Sequence, residues 1–94
     1  MKIVIIEDEQ FAARRLEAMI LAFDPDIEIV AKLESVADSI AWFRNNPVPD
    51  LIFLDIHLED NLSFAIFNSI SITCPIVFTT ATDELSTRAF ALKK

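Results

Sequence analysis

Four short apolar runs, separated by segments with helical spacing, constrain the fold of this chain most strongly. The first run, Lys2 to Ile6, and the third, Leu51 to Ile56, are nearly continuous in aliphatic residues apart from Asp55, which is typical of strands buried on both faces. The second run, Ile27 to Leu33, alternates and predicts an edge strand, and the fourth is Pro75 to Thr80. Such runs favour a parallel sheet.

The segments between the runs predict amphipathic helices. In the first, Gln10 to Phe23, the apolar positions recur at helical spacing and are Phe11, Leu16, Met19, Ile20 and Phe23. Ser35 is an N-cap for a second helix, with Asp38 at the capping-box position, and a third covers Ser63 to Ile72. Thr82 or Asp83 can cap a fourth. Because βα units repeat four times without a linker, we expect one α/β domain over residues 1–94, a doubly wound parallel sheet with helices on both faces.

The composition excludes several classes of function. Average usage would put roughly six glycines in such a chain, yet it has none, which excludes the Gly-rich loops that bind nucleotide phosphates. A net charge of −7 disfavours direct binding to DNA. A single cysteine, Cys74, excludes an internal disulfide, and a single histidine excludes a zinc cluster. With no apolar segment of about 18 residues and no export signal, we expect a cytoplasmic protein without a membrane partner.

Polar residues occur where the predicted strands end. Glu7 and Asp8 follow the first strand, Asp55 lies at the end of the third, and Thr79 and Thr80 end the fourth. The carboxyl ends of parallel strands meet at one edge of a sheet, where ligands bind. Three carboxylates gathered there repel one another and need protons or a cation. A few carboxylate oxygens suit Mg²⁺, whose octahedral coordination would be completed by water molecules and a backbone carbonyl.

A divalent cation beside Asp55 would attract a phosphoryl donor and let the carboxylate attack phosphorus, forming an acyl phosphate. Thr80 can then hydrogen-bond a phosphoryl oxygen, and the small Ala81 leaves the approach to Asp55 open.

These features together resemble a response-regulator receiver domain: an acidic pair after strand one, a lone Asp ending strand three and Thr-Ala ending strand four. The stretches LIFLDIHLED, SFAIF, CPIVFTTATDE and RAF are similar to receivers that precede LytTR-type DNA-binding domains. The resemblance implies a flavodoxin-like sheet with the strand order 2-1-3-4.

The resemblance also implies a role for each site residue. Asp55 would be the phosphoacceptor, Asp8 a direct Mg²⁺ ligand, Glu7 a ligand acting through water, His57 a ligand through its backbone carbonyl, and Thr80 the switch hydroxyl. It implies a sensor histidine kinase as partner, DNA only through an output domain outside this chain, and no enzyme activity beyond self-catalysed phosphorylation and dephosphorylation.

One departure from the family pattern concerns the last βα unit. The family has a fifth strand and helix, with a Lys that contacts the phosphoryl group, whereas this sequence stops at Lys93-Lys94. We therefore expect a receiver truncated before the fifth βα unit, and a homodimer that covers the exposed edge of strand four. We expect Glu59 and Asp60 to be solvated charges near the site.

Two other functions stay open. A degenerate receiver would act only as a dimerisation or interaction module. A small phosphohydrolase with an aspartyl nucleophile would carry a second Asp two residues after the first, a position that is His57 here, and no cap domain is present to bind substrate.

Overall fold

A computed structural model describes residues 1–58 and 60–79 of the chain. Its elements, in order, are β1 (Lys2–Ile6), α1 (Gln10–Phe23), β2 (Glu28–Leu33), α2 (Val36–Asn45), β3 (Leu51–Leu54), a 3-10 turn (Ser63–Ala65), α3 (Ile66–Ser69) and β4 (Ile76–Phe78). The predicted switch residue Thr80 and the predicted fourth helix lie outside the described residues, as does Glu59.

The four described strands form one parallel sheet in the order β2-β1-β3-β4. The predicted fold class and strand order are therefore confirmed. Because strand order reverses at β1, crossovers on its two sides place helices on opposite faces of the sheet. Among the helices in the described part of the chain, none is both long and apolar enough to cross a membrane.

Both faces of the central strand β1 are buried. Val4 and Ile6 of β1 pack in a cluster with α2 and α3 residues, whereas Ile3 and Ile5 pack in a second cluster that includes Ala13 and Ile20 of α1. This explains why the first run is continuously apolar: successive side chains point to opposite faces, and each face carries a helical layer.

A register shift corrects the predicted alternation of β2. The pairing of β1 with β2 skips Val30: Ile3 pairs with Ile29, but Val4 pairs with Ala31. Ile29 consequently packs on the α1 face and Ala31 on the α2 face, although strict alternation would put both on one face. β2 does lie at the edge of the sheet, as predicted.

Helix α1 has the predicted bounds, but its buried face is narrower than the predicted apolar stripe. Ala13 and Ile20 are buried, whereas Phe11, Met19 and Phe23 are 68%, 59% and 88% exposed. The sheet covers only part of the apolar side of the helix, so the apolar residues at the margin of that side stay at the surface.

The third helical segment begins at Ser63 as predicted, with the 3-10 turn leading into α3, but it ends at Ser69 and not at the predicted Ile72, and Ile70 is extended. The sequence that follows alternates Ser with β-branched Ile and continues with Thr73. β-branched residues lose side-chain freedom in a helix, which disfavours its extension.

Candidate metal and phosphoacceptor site

The ends of three adjacent strands position the candidate site. Beyond the last residue of β1, the amide of Glu7 still donates to Leu33 O at 2.9 Å, and the amide of Asp55, just after β3, donates to Ile6 O at 2.9 Å. The amide of Thr79 donates in the same way to Leu54 O at 3.0 Å. The backbone that carries these side chains is therefore fixed by the sheet itself.

This arrangement gathers three carboxylates. One oxygen from each of Glu7, Asp8 and Asp55 lies within 4.8 Å of the others, and all three residues are half-buried. The Glu7 side chain also accepts a hydrogen bond from the Glu9 amide at 3.2 Å. The carboxylates that the sequence places at two separate strand ends thus meet in one cluster.

The cluster raises the pKa of Glu7 to about 7. Partial burial is the largest cause, because it disfavours the charged form, and the hydrogen bond and charge of Asp55 act in the same direction. A hydrogen bond from the Glu9 backbone amide opposes the shift. Near neutral pH the three acids hold a proton that a divalent cation would displace.

The donor set fits Mg²⁺. Ligand oxygens around an octahedral Mg²⁺ lie roughly 3 to 4 Å apart, given metal–oxygen distances of about 2.0–2.1 Å. The carboxylates of Asp8 and Asp55 need only a small adjustment to share one ion, and a water can link Glu7 to it. Carboxylate oxygens are hard ligands, which favour Mg²⁺ over softer transition metals.

The two remaining predicted residues are placed differently. His57 is exposed and begins the loop after β3, where it forms an isolated antiparallel bridge with Leu62. Thr80 is outside the described residues, but its neighbour Thr79 lines a groove together with Glu7 and Arg15. The roles of His57 and Thr80 stay predictions.

Sequence reasoning did not assign the role of Glu9. Its carboxylate accepts hydrogen bonds from the amides of Phe11 at 3.0 Å and Ala12 at 2.8 Å, so it is the N-cap of α1. Glu is a less common N-cap than Ser, Thr, Asp or Asn, which is why the acidic run Glu7-Asp8-Glu9 did not reveal it.

The sequence model of the response regulator receiver domain family matches residues 3–94. The chain belongs to this family. Among curated relatives, the receiver domain is 33% identical over 93 residues to the sensory transduction protein LytT of Bacillus anthracis and 32% identical over 94 residues to LytR of Streptococcus agalactiae. Each alignment covers 96% of this chain but only 37% and 38% of those proteins, so the receiver spans less than two fifths of their length.

Solved structures agree with this assignment. The receiver resembles the response regulatory domain of mrkE from Klebsiella pneumoniae with a TM-score of 0.82 at 30% identity, over 99% of this chain and 77% of that one. It also resembles the response regulator PhyR from Brucella abortus, with a TM-score of 0.75 at 28% identity, over 89% of this chain and 35% of PhyR. The predicted family is therefore confirmed, and with it a general role in two-component signalling, in which receivers act as phosphorylated switches rather than as enzymes.

Proposed function

We propose that this receiver accepts a phosphoryl group on Asp55 from a sensor histidine kinase in a Mg²⁺-dependent reaction. The observation that supports the proposal most directly is the carboxylate cluster of Glu7, Asp8 and Asp55 at the carboxyl ends of β1 and β3. A carboxylate that ends a buried strand is held rigidly, and this fixes the direction from which phosphorus can approach it.

In this proposal Asp8 and Asp55 would hold the ion directly, with Glu7 acting through water and the His57 carbonyl completing the set. Bound there, Mg²⁺ supplies charge neutralisation for the incoming phosphoryl group. One oxygen of Asp55 attacks phosphorus, the bond to the donor breaks, and an aspartyl phosphate results. Thr80 then donates its hydroxyl to a phosphoryl oxygen.

We also propose a cellular location and an output for this domain. We assign residues 1–94 to one cytoplasmic receiver domain whose output is DNA binding through a domain outside this sequence. The similarity to LytT and LytR, described as sensory transduction proteins, supports an output in signal transduction. The net charge of −7 argues that this domain does not itself contact DNA.

A homodimer through the edge of β4 is the interaction we propose for this domain. Strand β4 pairs only with β3 among the described strands, and Val77 at its centre is 43% exposed. An apolar strand edge with free backbone groups favours pairing with a second copy.

The phosphoacceptor proposal is tested with acetyl phosphate and Mg²⁺. Intact-mass spectrometry of the wild type should show one added phosphoryl group, sensitive to hydroxylamine, which chelation of the ion prevents. Asp55→Asn should give no adduct. Asp26→Asn, which changes an exposed carboxylate in the turn before β2, should be modified like the wild type.

The alternative, an interaction module without phosphorylation, predicts different results. It requires a wild type that gains no adduct and whose melting temperature does not respond to Mg²⁺. That combination of results would overturn the phosphoacceptor proposal.

A further inference from the structure

Asp60, in the loop that follows the phosphoacceptor strand, contacts the start of α2. Its two carboxylate oxygens accept hydrogen bonds from the amides of Val36 at 2.8 Å and Ala37 at 3.1 Å, across 24 and 23 residues of sequence. Asp60 is therefore not simply a solvated charge, which corrects the expectation from the sequence.

These two bonds complete the capping of α2. The N-cap residue Ser35 accepts a hydrogen bond from the Asp38 amide at 3.0 Å. The first two amides of the helix have no such partner within Ser35 and α2. Asp60 supplies that partner, and its negative charge lies at the positive end of the helix dipole. The favourable contact also lowers the pKa of Asp60 below its ordinary value, chiefly through the Val36 amide.

The described part of the loop is closed on itself at its base. The Ser63 amide donates to Ile56 O at 2.7 Å, His57 is bridged to Leu62, and the Leu58 amide donates to Asn61 O at 3.0 Å. With its base closed in this way, the loop has few ways to move except as a unit, and Asp60 attaches that unit to α2.

Leu58 provides a second attachment. Its side chain is 7% exposed and belongs to the same buried cluster as Val36. Val36 is also the residue whose amide donates a hydrogen bond to Asp60. The loop is thus held by one apolar side chain in the core that α2 also covers and by one charged side chain that contacts the start of α2. In the sequence, His57 lies between Asp55 and these two attachment points.

We propose that Asp60 is a positioning residue that holds the loop against α2 and thereby sets the place of the His57 carbonyl relative to Asp55. The proposal rests on the proposed Mg²⁺ site, since that carbonyl would be one of its ligands. Residues that orient metal ligands from outside the coordination sphere affect metal affinity without touching the ion. By reciprocity, a bound ion that favours the attached loop must strengthen the contact of Asp60 with α2.

The test compares Asp60→Ala with Ser35→Ala in the full chain. Both variants remove capping bonds from α2, and both should lower the melting temperature, but only the first releases the loop. Calorimetric titration with Mg²⁺ should give an affinity about tenfold weaker for Asp60→Ala, and a change of less than about twofold for Ser35→Ala. Asp60→Asn keeps an acceptor oxygen without the charge, so its affinity should lie between those of the wild type and Asp60→Ala.

Amide hydrogen exchange distinguishes a positioning role of Asp60 from a role in helix capping alone, because capping alone would not make exchange depend on Mg²⁺. In the wild type, Mg²⁺ should slow exchange at Val36 and Ala37, and Asp60→Ala should abolish this dependence on the ion. Equal losses of Mg²⁺ affinity in Asp60→Ala and Ser35→Ala would overturn the proposal and leave the phosphoacceptor function standing. A wild type that binds no Mg²⁺ would overturn both.

Discussion

A carboxylate oxygen of Glu7, after β1, lies within 4.8 Å of one of Asp55, after the adjacent strand β3. Two ionised carboxylates this close repel each other, which favours a proton on one of them. The pKa of about 7 assigned to Glu7 by its surroundings allows that proton to stay at neutral pH.

Glu7 should make the stability of the domain depend on pH. The pKa of Glu7 is higher in the folded state, about 7, than its ordinary value of 4.5, so folding takes up a proton between these pH values. The free energy of unfolding that Glu7 contributes is full below pH 4.5 and is lost as pH rises through 7. Because the side chain is only half-buried, solvent screens the interaction, and we expect a loss on the order of 1 kcal/mol.

Glu7→Gln isolates this contribution, because the amide does not titrate. Without metal, the variant should melt above the wild type at pH 8 by roughly 4–8 °C, with little difference at pH 4.5. Mg²⁺ favours the ionised carboxylate, so it should stabilise the wild type more than the variant. A difference in melting temperature that does not change between these two pH values would contradict the assigned pKa.

Asp8→Asn should weaken Mg²⁺ binding without unfolding the domain. Asp8 is half-buried within the cluster, and the loss of one charged ligand reduces the attraction for a hard cation. We expect the affinity to fall by about tenfold or more, measured by calorimetry. Glu28→Gln removes an exposed charge from the first residue of β2 and is the matched control, since its affinity should equal that of the wild type.

Ile52→Ala should destabilise the whole domain. Ile52 lies in the central strand β3, is 1% exposed and packs in the larger buried cluster. Removing it leaves a cavity, so we expect a loss of about 2–5 kcal/mol in the free energy of unfolding by urea. Val48→Ala, at a side chain that is 49% exposed, should cost less than about 0.5 kcal/mol. Similar losses for the two variants would show that the assignment of the core is wrong.

Val77→Lys should disrupt the proposed homodimer. Val77 is at the centre of β4, and a charge at a strand edge opposes pairing with another chain. Light scattering at micromolar concentration should give a dimer for the wild type and a monomer for the variant. Val48→Lys, in the loop before β3, should stay dimeric. A wild type that is monomeric under these conditions would refute the interface.

Local signals in the sequence predicted the backbone well. Helix α1 begins and ends where the acidic run and the Asp24-Pro25 turn predict, and the strand order follows from the family resemblance. The buried face of α1 was predicted less well, because periodicity shows which residues are apolar but not how much of that arc the sheet covers. Phe23 is apolar and helical, and yet 88% exposed.

Contacts between residues that are distant in sequence could not be predicted. The bonds from Val36 and Ala37 to Asp60 join the start of α2 to the loop after β3, and no pattern within either segment indicates them. The register shift at Val30 was missed for a related reason, since a bulge depends on the neighbouring strand. The acids of the site were found because parallel strands end at a common edge, a rule of topology that needs no knowledge of individual contacts.

The three acidic residues that follow β1 have different roles. Glu7 and Asp8 belong to the carboxylate cluster, while Glu9 caps α1 with two hydrogen bonds. Inserting one residue among them would either detach the cap or rotate α1 by about 100° about its axis, turning Ile20 away from the sheet. The number of residues between β1 and α1 is therefore constrained as tightly as the side chains themselves, because one short connection positions both the carboxylate cluster and the helix.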